Sequence, residues 1–317
     1  MEAPVKLNQL QILVAIAETG SINSAAERLG ATQPALSKAI RALEAEAGVD
    51  LLVRHARGVT LTPAGEIVLK RAQVIGREIE KTQEELEWLK GAEGGQLSIG
   101  LTPIASELPV AHAVAALRKS KPLVRVDLSE LRPRQILDGL QSGRYDVGLI
   151  TLYGATAVPA FQSEIVRKVP VALVCGGPAP SGKSPEELFS REWVDYDPRD
   201  GGASYIGALA ESVGAQPPAN ITHCTSLPLA LDLALGLEAI CTISQPGIPL
   251  LSLRPGLSQL RILNPSFDLP HMNVCIVFQE WERLSLAAKM FIGLLRHHSL
   301  SVGNMLDGAL SVQGGNS

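Results

Sequence analysis

The sequence is poor in the residues that mark secreted or redox-active proteins. Only four of its 317 residues are cysteines, and no two of them form a CxxC pair. Cysteines so few and so far apart predict reduced thiols in a cytosol rather than a disulfide framework. A redox-sensing thiol stays an alternative, although no neighbouring residue in the sequence indicates a lowered thiol pKa. The four cysteines are Cys175, Cys224, Cys241 and Cys275.

Long uncharged hydrophobic runs are also missing. The longest apolar tract, residues 227–243, contains Asp232 and Glu238. A membrane span needs about 20 largely uncharged residues, so this tract predicts a buried helix and strand. The first ten residues contain no apolar stretch typical of a secretory signal. We therefore expect a cytoplasmic protein without a membrane segment.

The motifs that many enzymes require are absent as well. The sequence contains no GxSxG, phosphate-binding loop, HExxH or glycine-rich dinucleotide fingerprint. His223, His297 and His298 do not form a spacing that indicates a metal site. We therefore predict a protein that is not an enzyme and that needs neither a cofactor nor a metal.

Positive charge is scarce overall but concentrated near the N-terminus. The formal net charge is −4, yet residues 28–71 contain seven Lys or Arg and four Asp or Glu, an excess of three positive charges. Because a local basic surface matters more than the total charge, this region is a candidate for nucleic-acid contact.

The same region predicts two short helices joined by a tight turn. Asn23 is a candidate cap for the first helix, and Gly30 would end it. Thr32 would cap the second helix, with Gln33 and Pro34 in its first turn, where a proline costs no hydrogen bond.

The second helix has two distinct faces. Leu36, Ile40, Leu43 and Ala47 fall on an apolar face, whereas Ser37, Lys38 and Arg41 fall on a polar one. A helix-turn-helix presents such a polar face to the major groove. An ordinary helical hairpin with a solvated face is the alternative.

Two further elements follow this hairpin. The segment LLVRHARGVTLTPAG, residues 51–65, predicts a wing that contains Arg54 and Arg57. Residues 63–90 predict one long helix with Pro63 in its first turn. Its apolar positions recur at spacings of four and three, which favours a paired helix over a single helix lying on its own domain. These positions are Val68, Ala72, Ile75, Ile79, Thr82, Leu86 and Leu89.

The rest of the chain alternates strands and helices. This rhythm over residues 93–300 predicts parallel sheet and two α/β lobes with a cleft between them. In such lobes ligands bind at the carboxyl ends of the strands. The final segment, 301–317, is small and polar, and we expect it to be poorly ordered.

The segment SINSAAERLGATQPALSKAIRALEAEAGVDLLVRHARGVTLTPAG closely resembles the winged helix-turn-helix of LysR-type transcriptional regulators. QLSIGLTPIASELPVAHAVAAL, SGRYDVGLI and PHMNVCIVF resemble the effector domain of that family. The resemblance implies an α/β multidomain protein with a DNA-binding domain (1–62), a linker helix (63–92) and a two-lobed, periplasmic-binding-protein-like effector domain (93–300). Lobe I would cover about 93–165 and 268–300, lobe II about 166–267, and a tail 301–317.

The resemblance also implies double-stranded promoter DNA, a small-molecule co-inducer and a second copy of the chain as partners, in a homodimer or homotetramer. A transport receptor would share the two lobes, but it would need export and would not carry residues 5–90. The residues expected to contact DNA are Thr32, Gln33, Pro34, Ser37, Lys38, Arg41, Arg54, Arg57 and Thr62.

The effector is expected at strand ends and helix starts in the cleft, where helix N-termini favour an anion. LLVRxxRGVxLT and RHHSL resemble segments of regulators of aromatic acid degradation, so an organic or aromatic acid is the expected class. Several of the expected residues have an alternative role as helix caps. The expected effector-binding residues are Thr102, Pro103, Ile104, Glu130, Thr151, Gly202, Thr225, Ser226, Gln245 and Pro246.

Overall fold

A computed structural model of the chain describes residues 5–55, 58–89, 94–153, 158–180, 183–196 and 204–313. The described residues form two compact units. The first contains the residues up to 94 together with residues 139–144, and the second contains the others. Each unit has its own core and is described separately.

The first unit is a winged helix-turn-helix followed by one long helix. Its core consists of apolar side chains from the first three helices and the wing, with Leu13, Leu36 and Ile40 almost completely buried. The two wing strands pair antiparallel. The elements are α1 (Leu7–Thr19), α2 (Ile22–Arg28), α3 (Gln33–Ala47), β1 (Leu52–His55), β2 (Gly58–Leu61) and α4 (Pro63–Leu89).

The helix ends of this unit follow most of the sequence signals. Ser21 caps α2, with its hydroxyl accepting a hydrogen bond from the Ser24 amide, so the prediction of Asn23 as the cap is wrong. Since the turn is completed at Gly20, which has a positive φ, Ser21 already has the extended backbone that a cap requires. Thr32 occupies the cap position of α3 with extended backbone, but its side chain does not make the capping hydrogen bond that was expected. Gln33 and Pro34 open the helix as predicted.

Helix α4 begins at Pro63 as predicted and extends to Leu89, and residues 90–93 lie outside the described residues. Its first heptad positions belong to the core of this unit. Ala72 is buried, and Val68 packs against the apolar side chains of the first three helices and the wing. Farther along, Ile75 and Leu86 are 41% and 51% exposed. The apolar seam is therefore covered at its beginning and open farther on.

The second unit consists of two five-stranded sheets with helices around them. The order of strands is β4-β3-β5-β12-β6 in one sheet and β11-β7-β10-β8-β9 in the other. In chain order the elements are β3 (Gly95–Leu101), α5 (Val110–Ser120), β4 (Val124–Glu130), α6 (Pro133–Gln141), β5 (Val147–Leu152), β6 (Gln162–Val169), β7 (Val171–Cys175), α7 (Pro185–Phe189), β8 (Trp193–Asp195), α8 (Tyr205–Ser212), β9 (Ile221–His223), α9 (Leu227–Gly236), β10 (Ile240–Ser244), β11 (Arg261–Leu263), β12 (Met272–Phe278) and α10 (Leu286–Gln313).

Both sheets are mixed, whereas the sequence predicted parallel pairing. The strands β3, β4 and β5 are parallel, as are β8, β9 and β10. By contrast, β12 is antiparallel to β5 and β6, and β7 is antiparallel to β10 and β11. The difference arises because the chain leaves the first sheet along β6 and returns to it along β12, from the opposite direction.

The chain crosses between the lobes at two places. The first crossing is Pro170, between β6 and β7, and the second is the segment 264–271, between β11 and β12. The expected lobe boundary at residues 165–166 therefore falls inside β6, a strand of lobe I. The carboxyl ends of the parallel strands form one edge in each lobe.

The last helix is longer than the sequence indicated. Helix α10 runs from Leu286 to Gln313, so it includes most of the segment 301–317 for which poor order was expected. Among the described residues, none of the helices combines the length and the apolar character that crossing a bilayer demands.

Gly65 is required where α4 begins beneath the wing. A Cβ atom at Gly65 would lie 2.1 Å from the Leu51 carbonyl oxygen. We expect Gly65→Ala to lower the free energy of unfolding by about 1–3 kcal/mol, as is usual for an overpacked site. Urea denaturation of the full chain at fixed concentration measures this loss.

Gly76, also on α4, is the matched control, because a Cβ atom there meets nothing within 4 Å. Gly76→Ala should stabilise the chain by up to about 1 kcal/mol through helix propensity. Equal effects of the two substitutions would contradict the assigned role of Gly65.

Candidate DNA-binding surface and ligand cleft

The beginning of α3 combines a buried apolar face with an exposed polar one. Leu36 and Ile40 point into the core. Most of the residues that the sequence assigned to DNA are exposed on this helix and just before it. They are Thr32, Gln33, Pro34, Lys38 and Arg41.

Ser37 differs from these neighbours. It is only 7% exposed, although the sequence placed it on the polar face. The side-chain amide nitrogen of Gln33 donates a hydrogen bond to the Ser37 hydroxyl oxygen, at 2.9 Å. The structure thus brings two predicted site residues together, but as partners of each other.

The wing lies against the turn between α1 and α2. The amide of Val59 donates to the Gly20 carbonyl oxygen at 3.0 Å. Arg54 pairs with Val59 across the wing strands, and its side chain is exposed. Arg57, the other predicted wing cation, lies outside the described residues.

One carboxylate connects the recognition helix to the wing. Oε1 of Glu44 accepts hydrogen bonds from the amides of Leu51 and Leu52, at 3.0 and 3.1 Å. Sequence reasoning missed this role, because the two amides lie seven and eight residues away and no local motif marks them.

Thr62 also has a function inside the protein. Its hydroxyl donates to the Asp50 carbonyl oxygen at 2.7 Å and accepts from the Gly65 amide at 3.0 Å. It therefore caps α4 and fixes the end of the wing, which was not part of its predicted role.

In lobe I the structure joins two of the predicted effector residues. The hydroxyl oxygens of Thr102 and Thr151 lie 2.9 Å apart, at the carboxyl ends of β3 and β5, and both residues are buried. Ile104, which follows Thr102 closely in the sequence, is also buried, while Pro103 and Glu130 are exposed. Thr102 precedes a short 3₁₀ helix, but its hydroxyl does not cap that helix.

In lobe II the remaining predicted residues open two helical segments. Thr225 and Ser226 are exposed before α9, and the Ser226 side chain makes no capping bond. Gln245 and Pro246 are exposed and begin a 3₁₀ segment after β10. Gly202 lies outside the described residues.

A buried tyrosine connects the two lobes. The ring of Tyr205, at the start of α8, meets the ring of Tyr153, just after β5, edge to face at 5.8 Å. The Tyr205 hydroxyl donates to the Pro270 carbonyl oxygen at 2.9 Å. Burial raises the pKa of Tyr205, so its phenol stays protonated and remains a donor.

The first crossing is held in a similar way. The Gln245 amide donates to the Pro170 carbonyl oxygen at 2.8 Å. Each crossing thus presents a proline carbonyl to the start of a lobe II helix. The sequence did not single out Tyr153, Tyr205 or either proline, since their partners are remote along the chain.

Three of the four cysteines are buried. Burial raises the pKa of Cys275 to about 11, and it also raises the pKa of Cys175. A raised pKa lowers the fraction of reactive thiolate, which disfavours peroxide chemistry at these two residues.

Comparison with known proteins identifies both parts of the chain. Residues 7–66 match the bacterial regulatory helix-turn-helix protein, lysR family, and residues 90–299 match the LysR substrate binding domain. The HTH-type transcriptional regulator TdcA of Escherichia coli K12 is 27% identical over 304 residues, which cover 93% of each chain.

Solved structures share the fold. Full-length OxyR from Pseudomonas aeruginosa, carrying one substitution, superposes with a TM-score of 0.68 at 19% identity, covering 94% of this chain and 95% of that one. Full-length CbnR in complex with its target DNA gives a TM-score of 0.64 at 21% identity, covering 93% of this chain and all of that one. The chain belongs to the LysR family of DNA-binding transcriptional regulators, which are not enzymes, and it carries the effector-binding domain of that family.

Proposed function

We propose that this cytoplasmic regulator binds an operator through α3 and the wing, under the control of an organic acid held between the lobes. The observation that carries the proposal of operator binding is the start of α3. Cations and hydrogen-bonding groups are exposed there, and the apolar face of the helix is buried. The CbnR structure with its target DNA supports this use of the fold.

The proposed contacts divide into two kinds. Gln33, Lys38 and Arg41 face base edges or phosphates from α3, with Pro34 against the groove wall. Thr32, Arg54, Arg57 and Thr62 act at the DNA backbone or position the elements that do. The positive end of the α3 dipole also favours a phosphate near Thr32 and Gln33.

Arg41→Ala should weaken operator binding and flatten its salt dependence. If Arg41 neutralises a phosphate, the slope of log affinity against log salt falls by about one unit. Selection from a random duplex pool with the full chain yields the operator, and gel-shift titration at several salt concentrations measures the slope.

Arg125→Ala is the control, since Arg125 lies on β4 and pairs with Asp127 at 3.2 Å. An unchanged slope in Arg41→Ala would remove Arg41 from the contact surface. Failure to enrich any sequence would contradict the proposed operator binding as a whole.

The effector proposal rests on the carboxyl edges of the two sheets. Thr102 and Thr151 place two buried hydroxyls at the edge of lobe I, and Ser226 places an uncapped, exposed one at the start of α9 in lobe II. The approach of Tyr153 to Tyr205 brings these edges together. Hydroxyls and helix N-termini are groups that bind a carboxylate or a sulfonate. The ligand would control the protein by binding one lobe arrangement better than the other.

Benzoate and benzenesulfonate test this site, with neutral benzamide for comparison. A binding acid should raise the melting temperature of the full chain, by the equivalent of about 2.7 kcal/mol at one hundred times its Kd. Thr102→Val should reduce that shift because it removes one hydroxyl of the pair.

Thr19→Val provides the matched control, because the Thr19 hydroxyl bonds only backbone carbonyl oxygens around the end of α1. A shift caused equally by benzamide, or retained fully in Thr102→Val, would contradict the acid site. The absence of any shift with either acid would exclude these aromatic acids as effectors.

We further propose that α4 pairs with α4 of a second copy, giving a homodimer that can assemble into a homotetramer. Ile75, Ile79 and Leu86 follow heptad spacing where the seam is open, and burying exposed Ile and Leu side chains drives helix pairing. A two-fold protein would match a palindromic operator.

Ile75→Glu should shift the chain from dimer towards monomer, since pairing would bury a charge in an apolar seam. Sedimentation velocity over a range of concentrations measures the shift. Lys70→Glu is the control, because Lys70 is exposed on α4 away from the seam. Dissociation by both variants, or by neither, would contradict the proposed seam.

A further inference from the structure

The hydrogen bond between Gln33 and Ser37 fixes an exposed side chain at the start of the recognition helix. Gln33 is the first residue of α3, and Ser37 lies one turn later on the same face. Gln33 is exposed, whereas Ser37 is 7% exposed and belongs to the buried side of the helix. The 2.9 Å bond thus joins a residue available to DNA to one that is largely withdrawn from it.

This bond changes what the Gln33 amide offers to a ligand. A free glutamine amide has two N–H donors and one carbonyl acceptor. One N–H of Gln33 is used by the Ser37 oxygen. The outward edge therefore retains one donor and one acceptor side by side.

The major-groove edges of adenine and guanine differ in how well they suit a glutamine amide that is held in this way. Adenine presents the N7 acceptor beside the N6 donor, which matches one donor and one acceptor. Guanine presents two acceptors, N7 and O6, so an edge with one donor beside one acceptor sets the amide oxygen against one of them. A freely rotating amide avoids this by turning its oxygen away and donating from its nitrogen alone. An amide that has already given one N–H to Ser37 cannot do so without breaking that bond.

We propose that Ser37 is a specificity-determining positioning residue, which holds Gln33 so that it selects adenine and rejects guanine. Ser37 acts through Gln33 and does not itself contact a base, in contrast to the role expected from the sequence. This inference rests on the proposed operator binding and assigns the base read at one of its positions.

The experiment is a double-mutant cycle on selected DNA. The full-length wild type first selects its operator from a random duplex pool. The base pair at which preference disappears in Gln33→Ala identifies the position that Gln33 reads. Affinities are then measured for wild type, Ser37→Ala, Gln33→Ala and the double variant, on this operator and on the duplex with A·T replaced by G·C at that position.

The wild type should prefer adenine roughly tenfold, the size of one good bidentate contact. Ser37→Ala should reduce this preference to about twofold, mainly by improving binding to the guanine duplex. In the Gln33→Ala background, Ser37→Ala should change neither affinity. Ser24→Ala, an exposed serine on α2, should behave as the wild type.

A direct DNA contact or a purely structural role of Ser37 gives a different result. In either case Ser37→Ala would weaken both duplexes, and the loss would persist without Gln33, which would overturn the proposal. A preferred base other than adenine would also overturn it. If the wild type enriches no sequence at all, the proposed operator binding itself fails.

Folding is controlled by the melting temperature of each variant. If Ser37→Ala does not fold, Ser37→Cys replaces it, because a thiol has similar size but accepts hydrogen bonds weakly. The same reduced discrimination is expected, and an unchanged tenfold preference in Ser37→Cys would overturn the proposal.

Discussion

The DNA-binding surface depends on two hydrogen bonds that the Glu44 carboxylate accepts. This carboxylate accepts the amides of Leu51 and Leu52, and so fixes the chain immediately after α3. Hydrogen bonds to a charged acceptor are among the stronger ones in proteins. The orientation of the wing relative to α3 follows from these two bonds and from the contact between Val59 and Gly20. The exposed cations Lys38, Arg41 and Arg54 therefore stand on two elements that are fixed to each other.

Much of this unit could be predicted because its signals are local. Gly30 follows the end of α2 with a positive φ, and Thr32 and Pro34 stand at the cap position and in the first turn of α3, where the sequence placed them. The cap of α2 was mistaken because Ser21 and Asn23 are equally good capping residues, and the turn at Gly20 decides between them. The burial of Ser37 could not be predicted from spacing, since it lies at the border between the two faces of α3.

The sheet topology and the long-range contacts of the second unit could not be predicted from the sequence. The short strands β8 and β11 have three residues each and give almost no periodic signal. The mixed pairing of both sheets depends on where the chain crosses between them, which no local pattern records. Thr102 and Thr151 were each identified as strand ends, but their contact spans 49 residues along the sequence. The role of Tyr205 depends on Pro270, 65 residues away.

The two proline crossings have a mechanical consequence. Bodies joined at two separate points retain one easy motion, a rotation about the line through those points. Close to this line, the Pro170 carbonyl oxygen accepts the amide of Gln245, the first residue after β10, and the Pro270 carbonyl oxygen accepts the Tyr205 hydroxyl at the start of α8. A shift of those helix starts therefore acts close to the rotation axis. A small rotation there becomes a large displacement at the edge of each lobe that lies farthest from the axis.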